Sequence, residues 1–392
     1  MTILHLTESA TLPIDGFTGT LCGRVWRPEV DGPSVVAVRA DGVYDISGVF
    51  ATIRDLCEAT DPAAAARQAS GERLGTLGEI LANTPPEARD PSKPWLLAPI
   101  DLQAVKAAGV TFATSMIERV IEERARGESG AAATIRADLS RLIGADLSTL
   151  KPGSPAAVRL KEALIADGAW SQYLEVGIGP DAEIFTKSQP MSAVGAGADA
   201  GFHSASVWNN PEPEVVLVVN SRGEIVGASL GNDVNLRDVE GRSALLLGKA
   251  KDQNASCAVG PFLRLFDATF GLDDVRAAEV SLRVEGEEGF LLEGGSSMAR
   301  ISRDPADLVG QMIGASHRYP DGAALFLGTM FAPVADRDAP GKGFTHKVGD
   351  LVTVSADKLG RLTNRMRHCQ DCPPWDFGAG QLMRNLARRG LI

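Results

Sequence analysis

Cysteine is scarce: five residues in 392, Cys22, Cys57, Cys257, Cys369 and Cys372, at irregular spacings. That excludes a disulfide framework and leaves reduced thiols. Cys369 and Cys372 form a CxxC beside His368, but a structural zinc site takes four ligands and no second pair follows. Long apolar runs are also missing. No window approaches the roughly 18 consecutive apolar residues of a membrane span, and residues 1–17 lack the basic lead and apolar stretch of an export signal. The expectation is a cytoplasmic protein with no membrane partner. Basic charge is in deficit, with 39 Lys and Arg against 50 Asp and Glu, a formal charge of −11. That balance repels a phosphate backbone, and with no basic stripe to offset it, nucleic acid is excluded as a partner. No repeat with a period of about 20 to 50 residues is visible, which excludes a solenoid or propeller. The GxG at Gly195 and Gly197 lacks a third glycine and an opening helix, so it reads as a turn rather than a dinucleotide site.

What is present is a chain with 44% hydrophobic residues and a mean hydropathy near zero, enough for a large core. Its 42 glycines and 22 prolines are dispersed, as in a β-rich protein with many tight turns. Residues 35–38 and 43–46, joined through Asp41-Gly42, read as a hairpin within a small β-rich N-terminal domain, 1–95. Pro85, Pro86, Pro91 and Pro94 mark residues 83–95 as a linker, and residues 96–392 are the second, larger domain. Within it, Met116, Ile117, Val120 and Ile121 recur at helical spacing among Glu118, Glu122 and Glu123, predicting an amphipathic helix over 115–126. Ser154-Pro155 and Asp304-Pro305 carry the cap-then-proline signal of helix starts. Residues 214–220, 225–230, 280–284 and 351–355 read as strands. The fold class expected is α+β, rich in β-structure.

Chemistry concentrates at Glu212 and Glu214. Two residues apart in extended chain, their carboxylates share a face, and two like charges held that close call for a cation. Pro211 and Pro213 stiffen the segment and suit a strand mouth or sheet edge. Asp233 lies past the next short strand, where a hairpin return brings it back beside the pair. Three hard oxygen ligands describe a magnesium or manganese site better than a zinc site. The same ExE pattern also serves as a solvated edge pair.

An ordered set of motifs bears on that choice. They are Glu183-Ile184-Phe185-Thr186-Lys187, Glu212-Pro213-Glu214 with the apolar run after it, GASLGNDVNLRD at 227–238 and KDQNASCAVGP at 251–261. Gly328-Thr329 follows, then Val348-Gly349-Asp350 with Leu359-Gly360-Arg361-Leu362-Thr363-Asn364. In this order, over roughly residues 100 to 366, they resemble the fumarylacetoacetate hydrolase superfamily. The resemblance implies a β-roll catalytic domain, a divalent cation (Mg2+ or Mn2+) held by Glu212, Glu214 and Asp233, and a 2-oxo-carboxylate substrate chelated by that ion. It implies a homodimer or homotetramer, and it sets Lys251 near the chelated oxygens, either as a positive charge or, with a pKa lowered by desolvation, as a proton carrier.

The chain departs from the carbon-carbon hydrolases of that superfamily in two places. Where they carry a histidine near the start of the catalytic domain this chain has Ser115, with Glu118 retained on nearly the same helix face, and a serine does not activate water as an imidazole does. Asn254 replaces the aspartate that tends to follow the lysine. Both segments look more like the 2-keto-3-deoxy-pentonate dehydratases of the same superfamily. The implied reaction takes a proton from C3, releases the C4 hydroxyl and tautomerises the enone to 2,5-dioxopentanoate. Glu118 and Lys251 are the acid/base pair in undecided order. Thr329, Gly328, Ser115 and Lys251 contact substrate, and Gln189, Arg119 and Arg242 are further polar candidates. The rival reading within the enzymes is an acylpyruvate or diketo-acid hydrolase, which His203 folded over the metal would favour. A non-catalytic, metal-stabilised module is the rival outside them.

Overall fold

The structure, a computed structural model, describes residues 4–392 apart from 127, 133, 136–149, 167, 169, 332, 334 and 341. Strands before residue 100 are β1 (Leu21–Arg27), β2 (Gly32–Arg39), β3 (Gly42–Asp45), β4 (Glu72–Gly75) and β5 (Trp95–Leu97). The next are β6 (Ala104–Gly109), β7 (Glu183–Ser188), β8 (Asp199–Phe202), β9 (Asn209–Asn210), β10 (Pro213–Val219), β11 (Ile225–Asp233) and β12 (Asn235–Leu236). Last come β13 (Cys257–Leu265), β14 (Glu279–Glu285), β15 (Leu291–Ser297), β16 (Ala323–Phe326), β17 (Leu351–Ala356) and β18 (Gly360–His368). Among the described residues the large sheet runs β4-β3-β2-β1-β13-β11-β10-β16-β6-β7, with β5 on β1. A second sheet runs β15-β14-β17-β18-β8, and β9 pairs with β12. Neighbours are antiparallel except β16 with β6 and β18 with β8. With its helices, this is an α+β protein.

The hairpin expected from its turn residues is present, with Val38 opposite Val43 and Arg39 opposite Gly42. The division placed at 95/96 falls inside a continuous sheet. β5 straddles it, and β1 pairs with β13 through Leu21 to Arg264 and Cys22 to Leu263. The Asp304-Pro305 signal starts the helix Pro305–Met312, where the Asp304 carboxylate accepts from the Ala306 amide at 2.8 Å.

β10 explains how the two sheets share a core. Val215, Leu217 and Val219 pack with Val280, Leu282, Val284, Val352 and Val354 of the second sheet. Val216 and Val218 face the other way, toward Val105, Ala107, Phe326, Ile53 and Leu56. A strand covered on both faces has no polar alternation to keep, so it reads as an unbroken apolar run. Each such side chain contributes about 1.5–3 kcal/mol when fully buried.

The amphipathic pattern at 115–126 forms the helix Ala113–Ala125, whose Met116, Val120 and Ile121 pack on Tyr173, Leu174 and Ile178 of the helix Gln172–Ile178. Its charged face turns inward as well: Glu118, Arg119 and Glu122 are all buried. Residues 127–179, which had no counterpart among the motifs, fall partly outside the described residues. No helix among the described residues is long and apolar enough to cross a membrane.

Candidate metal and catalytic site

β10 opens at Pro213, so Glu212 and Glu214 lie at the mouth of the strand on one side. β11 returns antiparallel with Asn232 opposite Pro213 and Gly231 opposite Glu214. The Asp233 amide donates to the Glu212 carbonyl at 3.0 Å, which fixes the third acid beside the first two. One carboxylate oxygen from each of Glu212, Glu214 and Asp233 lies within 4.8 Å of the others, and all three residues are buried. Gly231 has to be glycine, since a Cβ there would stand 2.3 Å from the Phe326 ring and 2.6 Å from Val216 Cγ2.

Cations and donors surround the triad. Lys251 Nζ lies 2.5 Å from Glu212 Oε2 and 3.0 Å from Asp233 Oδ2. Lys187 Nζ stands 2.9 Å from Asp233 Oδ1 as an ion pair off the hydrogen-bond line, and it donates to the Lys251 carbonyl. Arg119 pairs with Glu212 Oε1 and Glu122, and lies 3.1 Å from Glu240. The Gly328 amide donates to Glu214 Oε2 at 2.7 Å and the Thr329 hydroxyl to Oε1 at 3.3 Å.

These contacts set unequal charges. Burial raises the Glu212 pKa, but Lys251 and Arg119 outweigh it and hold the group at about 2. Glu214 is pushed well above the usual carboxylate range by burial, then by the charges of Asp233 and Glu212. Burial pulls Lys251 down, yet Asp233, Glu212 and Glu240 raise it, so it stays protonated. Of the two readings of this lysine, its carboxylate neighbours favour the charged one.

A cavity of about 20 Å3 lies over the triad, lined by Ser115, Arg119, Glu183, Phe185, Glu240, Lys251 and Thr329 among others. It has room for one ion or water. Of the residues singled out from the sequence, Glu212, Glu214, Asp233, Lys251, Thr329 and Ser115 meet here, and Gly328 contributes its amide. Glu118 does not line this cavity; its carboxylate lies 3.2 Å from Arg237. His203 and Arg242 line a different depression, and Gln189 donates to Asp252 at 3.0 Å. Glu183 is the residue that sequence reasoning missed. Burial, then Glu240, pushes its carboxyl up to about 7 against the pull of Arg119 and Lys251. Its one sequence signal was its place two residues ahead of Phe185 in the first motif. In space Glu183 faces Gly109 across β6 and β7, where a Cβ would stand 1.9 Å from its Oε2.

The donor set fits a hard divalent cation. It supplies carboxylate oxygens alone, and of the two effects that raise Glu214, burial and then the charges of Asp233 and Glu212, a bound cation relieves the repulsion.

Comparisons with known proteins agree with this geometry. Residues 180–367 match the family described as fumarylacetoacetate (FAA) hydrolase C-terminal. The chain is 29% identical over 192 residues to a probable 2-keto-3-deoxyxylonate dehydratase of Haloferax volcanii, covering 49% of this chain and 62% of that protein. It is 30% identical over 180 residues to a 2-dehydro-3-deoxy-D-arabinonate dehydratase of Saccharolobus solfataricus, covering 46% and 57%. The matches thus span about three fifths of those relatives' length. Among solved structures, 2-keto-3-deoxy-D-arabinonate dehydratase in its apo form superposes with a TM-score of 0.61 at 20% identity, covering 89% of this chain and 99% of that one. The same enzyme complexed with magnesium and 2,5-dioxopentanoate gives 0.60 at 19% identity and the same coverage. Motif order, sheet topology and the family match agree: residues 180–367 of this chain are a fumarylacetoacetate hydrolase family domain.

Proposed function

We propose that this chain is a magnesium- or manganese-dependent dehydratase that converts a 2-keto-3-deoxy-pentonate, from D-xylonate or D-arabinonate, into 2,5-dioxopentanoate and water. The observation that carries the reading is the convergence of Glu212, Glu214 and Asp233 beneath a cavity walled by Lys251 and Glu183. The dehydratase names of both curated relatives, and the magnesium and 2,5-dioxopentanoate in a solved neighbour, support it. Glu212, Glu214 and Asp233 would hold the cation, which when bound supplies Lewis-acid polarisation of the keto oxygen and so acidifies C3.

The remaining work falls to this chain's side chains. Lys251, fixed as a cation, offers its charge to the substrate's keto and carboxylate oxygens. Glu183, poised at about 7, is matched to take the C3 proton and return it to the departing C4 hydroxyl, which leaves as water. The enone left behind tautomerises through C4 and C5 to the aldehyde. The Thr329 hydroxyl orients the substrate carboxylate. A five-carbon acid does not fit a space of about 20 Å3, so on this reading the site opens to admit substrate.

Elimination is favoured over hydrolytic carbon-carbon cleavage by the cavity wall. Ser115 Oγ donates to the Phe112 carbonyl at 2.9 Å, and among the described residues lining the cavity none is a histidine. The test is incubation with magnesium and 2-keto-3-deoxy-D-xylonate or its D-arabinonate counterpart. Release of 2,5-dioxopentanoate, abolished by chelation, is expected. Pyruvate release, or turnover of acylpyruvates in its place, overturns dehydration, and full activity after exhaustive chelation overturns the metal role.

A further inference from the structure

A second cavity, of about 200 Å3, shares no lining residue with the first. Its walls come largely from outside residues 180–367. They include Arg24 and Trp26 of β1, Trp95 of β5, Arg89 between them in sequence, and Phe377 of the C-terminal tail. Trp26 and Trp95 stack at 5.9 Å between ring centroids, and Phe377 meets Trp26 edge-on at 5.2 Å. The tail is tied over the cavity by Asn254, whose Nδ2 donates to the Cys369 and Pro373 carbonyls and whose Oδ1 accepts from the Trp375 amide at 3.2 Å.

The two arginines are the unexplained part. Arg24 is 6% exposed, donates from Nη1 to the Ile100 carbonyl and leaves Nε without a partner. Arg89 lies over the Trp95 ring at 4.6 Å, donates to the Thr84 carbonyl and also leaves Nε without a partner. Among the described residues neither forms a salt bridge. The nearest acids are engaged elsewhere: Asp101 accepts the Ile53, Arg54 and Leu102 amides, Asp199 lies 2.9 Å from Arg367, and Glu87 lies 2.6 Å from Arg365. Arg24 is buried and Arg89 half-buried. Two carboxylates also line the cavity, Asp199, which is held by Arg367, and Asp376, which is exposed. Neither guanidinium thus has a direct ion pair among the described residues, and a buried guanidinium edge left unpaired among aromatic rings is costly unless an anion completes it.

We propose that this cavity is a second small-molecule site, built for a single-ring aromatic carboxylate. Its volume is on the scale of the roughly 150 Å3 apolar cavity that accepts benzene. Trp26, Trp95 and Phe377 supply faces and edges for the ring, while Arg24 and Arg89 supply the positive charge for the carboxylate.

The test compares benzoate with benzamide, a neutral ligand of nearly the same shape, by calorimetric titration of the whole chain. Benzoate is expected to bind at least about tenfold more tightly, and Arg89→Met is expected to weaken benzoate at least about fivefold while leaving benzamide unchanged. Met383→Ala, at a position 60% exposed and outside the cavity lining, serves as a folded control that retains benzoate binding. Equal affinity for the two ligands, benzoate binding unchanged in Arg89→Met, or no binding of benzoate up to about 10 mM overturns the proposal. So does inorganic phosphate displacing benzoate at equal concentration, since the site would then recognise charge without the ring.

Discussion

At the scale of single residues, the catalytic reading turns on Glu183 and Lys251. Glu183→Gln keeps the shape and removes the titrating proton. Turnover should fall by about 10²–10⁴ with magnesium affinity unchanged, and the limb of the pH–rate profile near neutrality should vanish. Stability carries the same signature. A carboxyl raised from its ordinary 4.5 to about 7 in the folded state binds more protons folded than unfolded between those values. Its contribution is fully present below about 4.5 and is lost as pH rises to about 7. Denaturant titrations across that window should show a shallower slope in Glu183→Gln, and an unchanged slope would place the titration elsewhere. Among the described residues, Lys251→Ala leaves Glu212 paired with Arg119 alone and Asp233 with Lys187 alone, a loss of up to about 3–5 kcal/mol in metal-free protein. Magnesium should restore part of the melting temperature without restoring turnover, and a drop that magnesium leaves untouched would argue against the triad as its ligand set. At this scale the sequence carried the three acids and the lysine, because they sit within motifs of fixed local spacing. It carried neither the buried pairing of Glu118 with Arg237 nor the environment of Glu183, since burial and charge neighbours belong to no local pattern.

Between elements, the β10–β11 hairpin is the device that makes a metal site from distant letters. Its register follows from a short return and from apolar residues that must face both cores, so Asp233 arrives beside Glu212 as the spacing predicts. Gly231→Ala forces a methyl into Phe326 and Val216. It should cost about 1–3 kcal/mol and also weaken magnesium binding, because Asp233 lies two residues on. Calorimetry of magnesium binding checks this, and destabilisation with intact affinity would show that the strands yield elsewhere. The helix Ala113–Ala125 was legible as amphipathic. That its charged face is buried was not, because periodicity distinguishes apolar from charged faces and is silent on whether Arg237 or water meets the charges.

Across the whole molecule, the N-terminal strands and the C-terminal tail close on each other. Asn385 Nδ2 donates to the Val30 and Asp31 carbonyls at 2.8 and 2.9 Å, joining the helix Ala379–Arg388 to the β1–β2 connection. Asn385→Ala should lower stability by about 1–3 kcal/mol while magnesium affinity and turnover stay as in the parent, measured by thermal melts and steady-state assays. The sequence by itself determined the fold class, the starts of the two helices at Pro155 and Pro305, several strands and the candidate acidic triad, all written in spacings of a few residues or in motif order. Only the tertiary structure decided that the large sheet runs through the proposed domain boundary, and that Arg119 crosses 93 positions to meet Glu212. It also decided that Glu183, not Glu118, stands in the cavity wall. Local periodicity fixes which way a side chain points from its own strand or helix, while what it meets is set by long-range packing, where burial and neighbouring charge tune the chemistry.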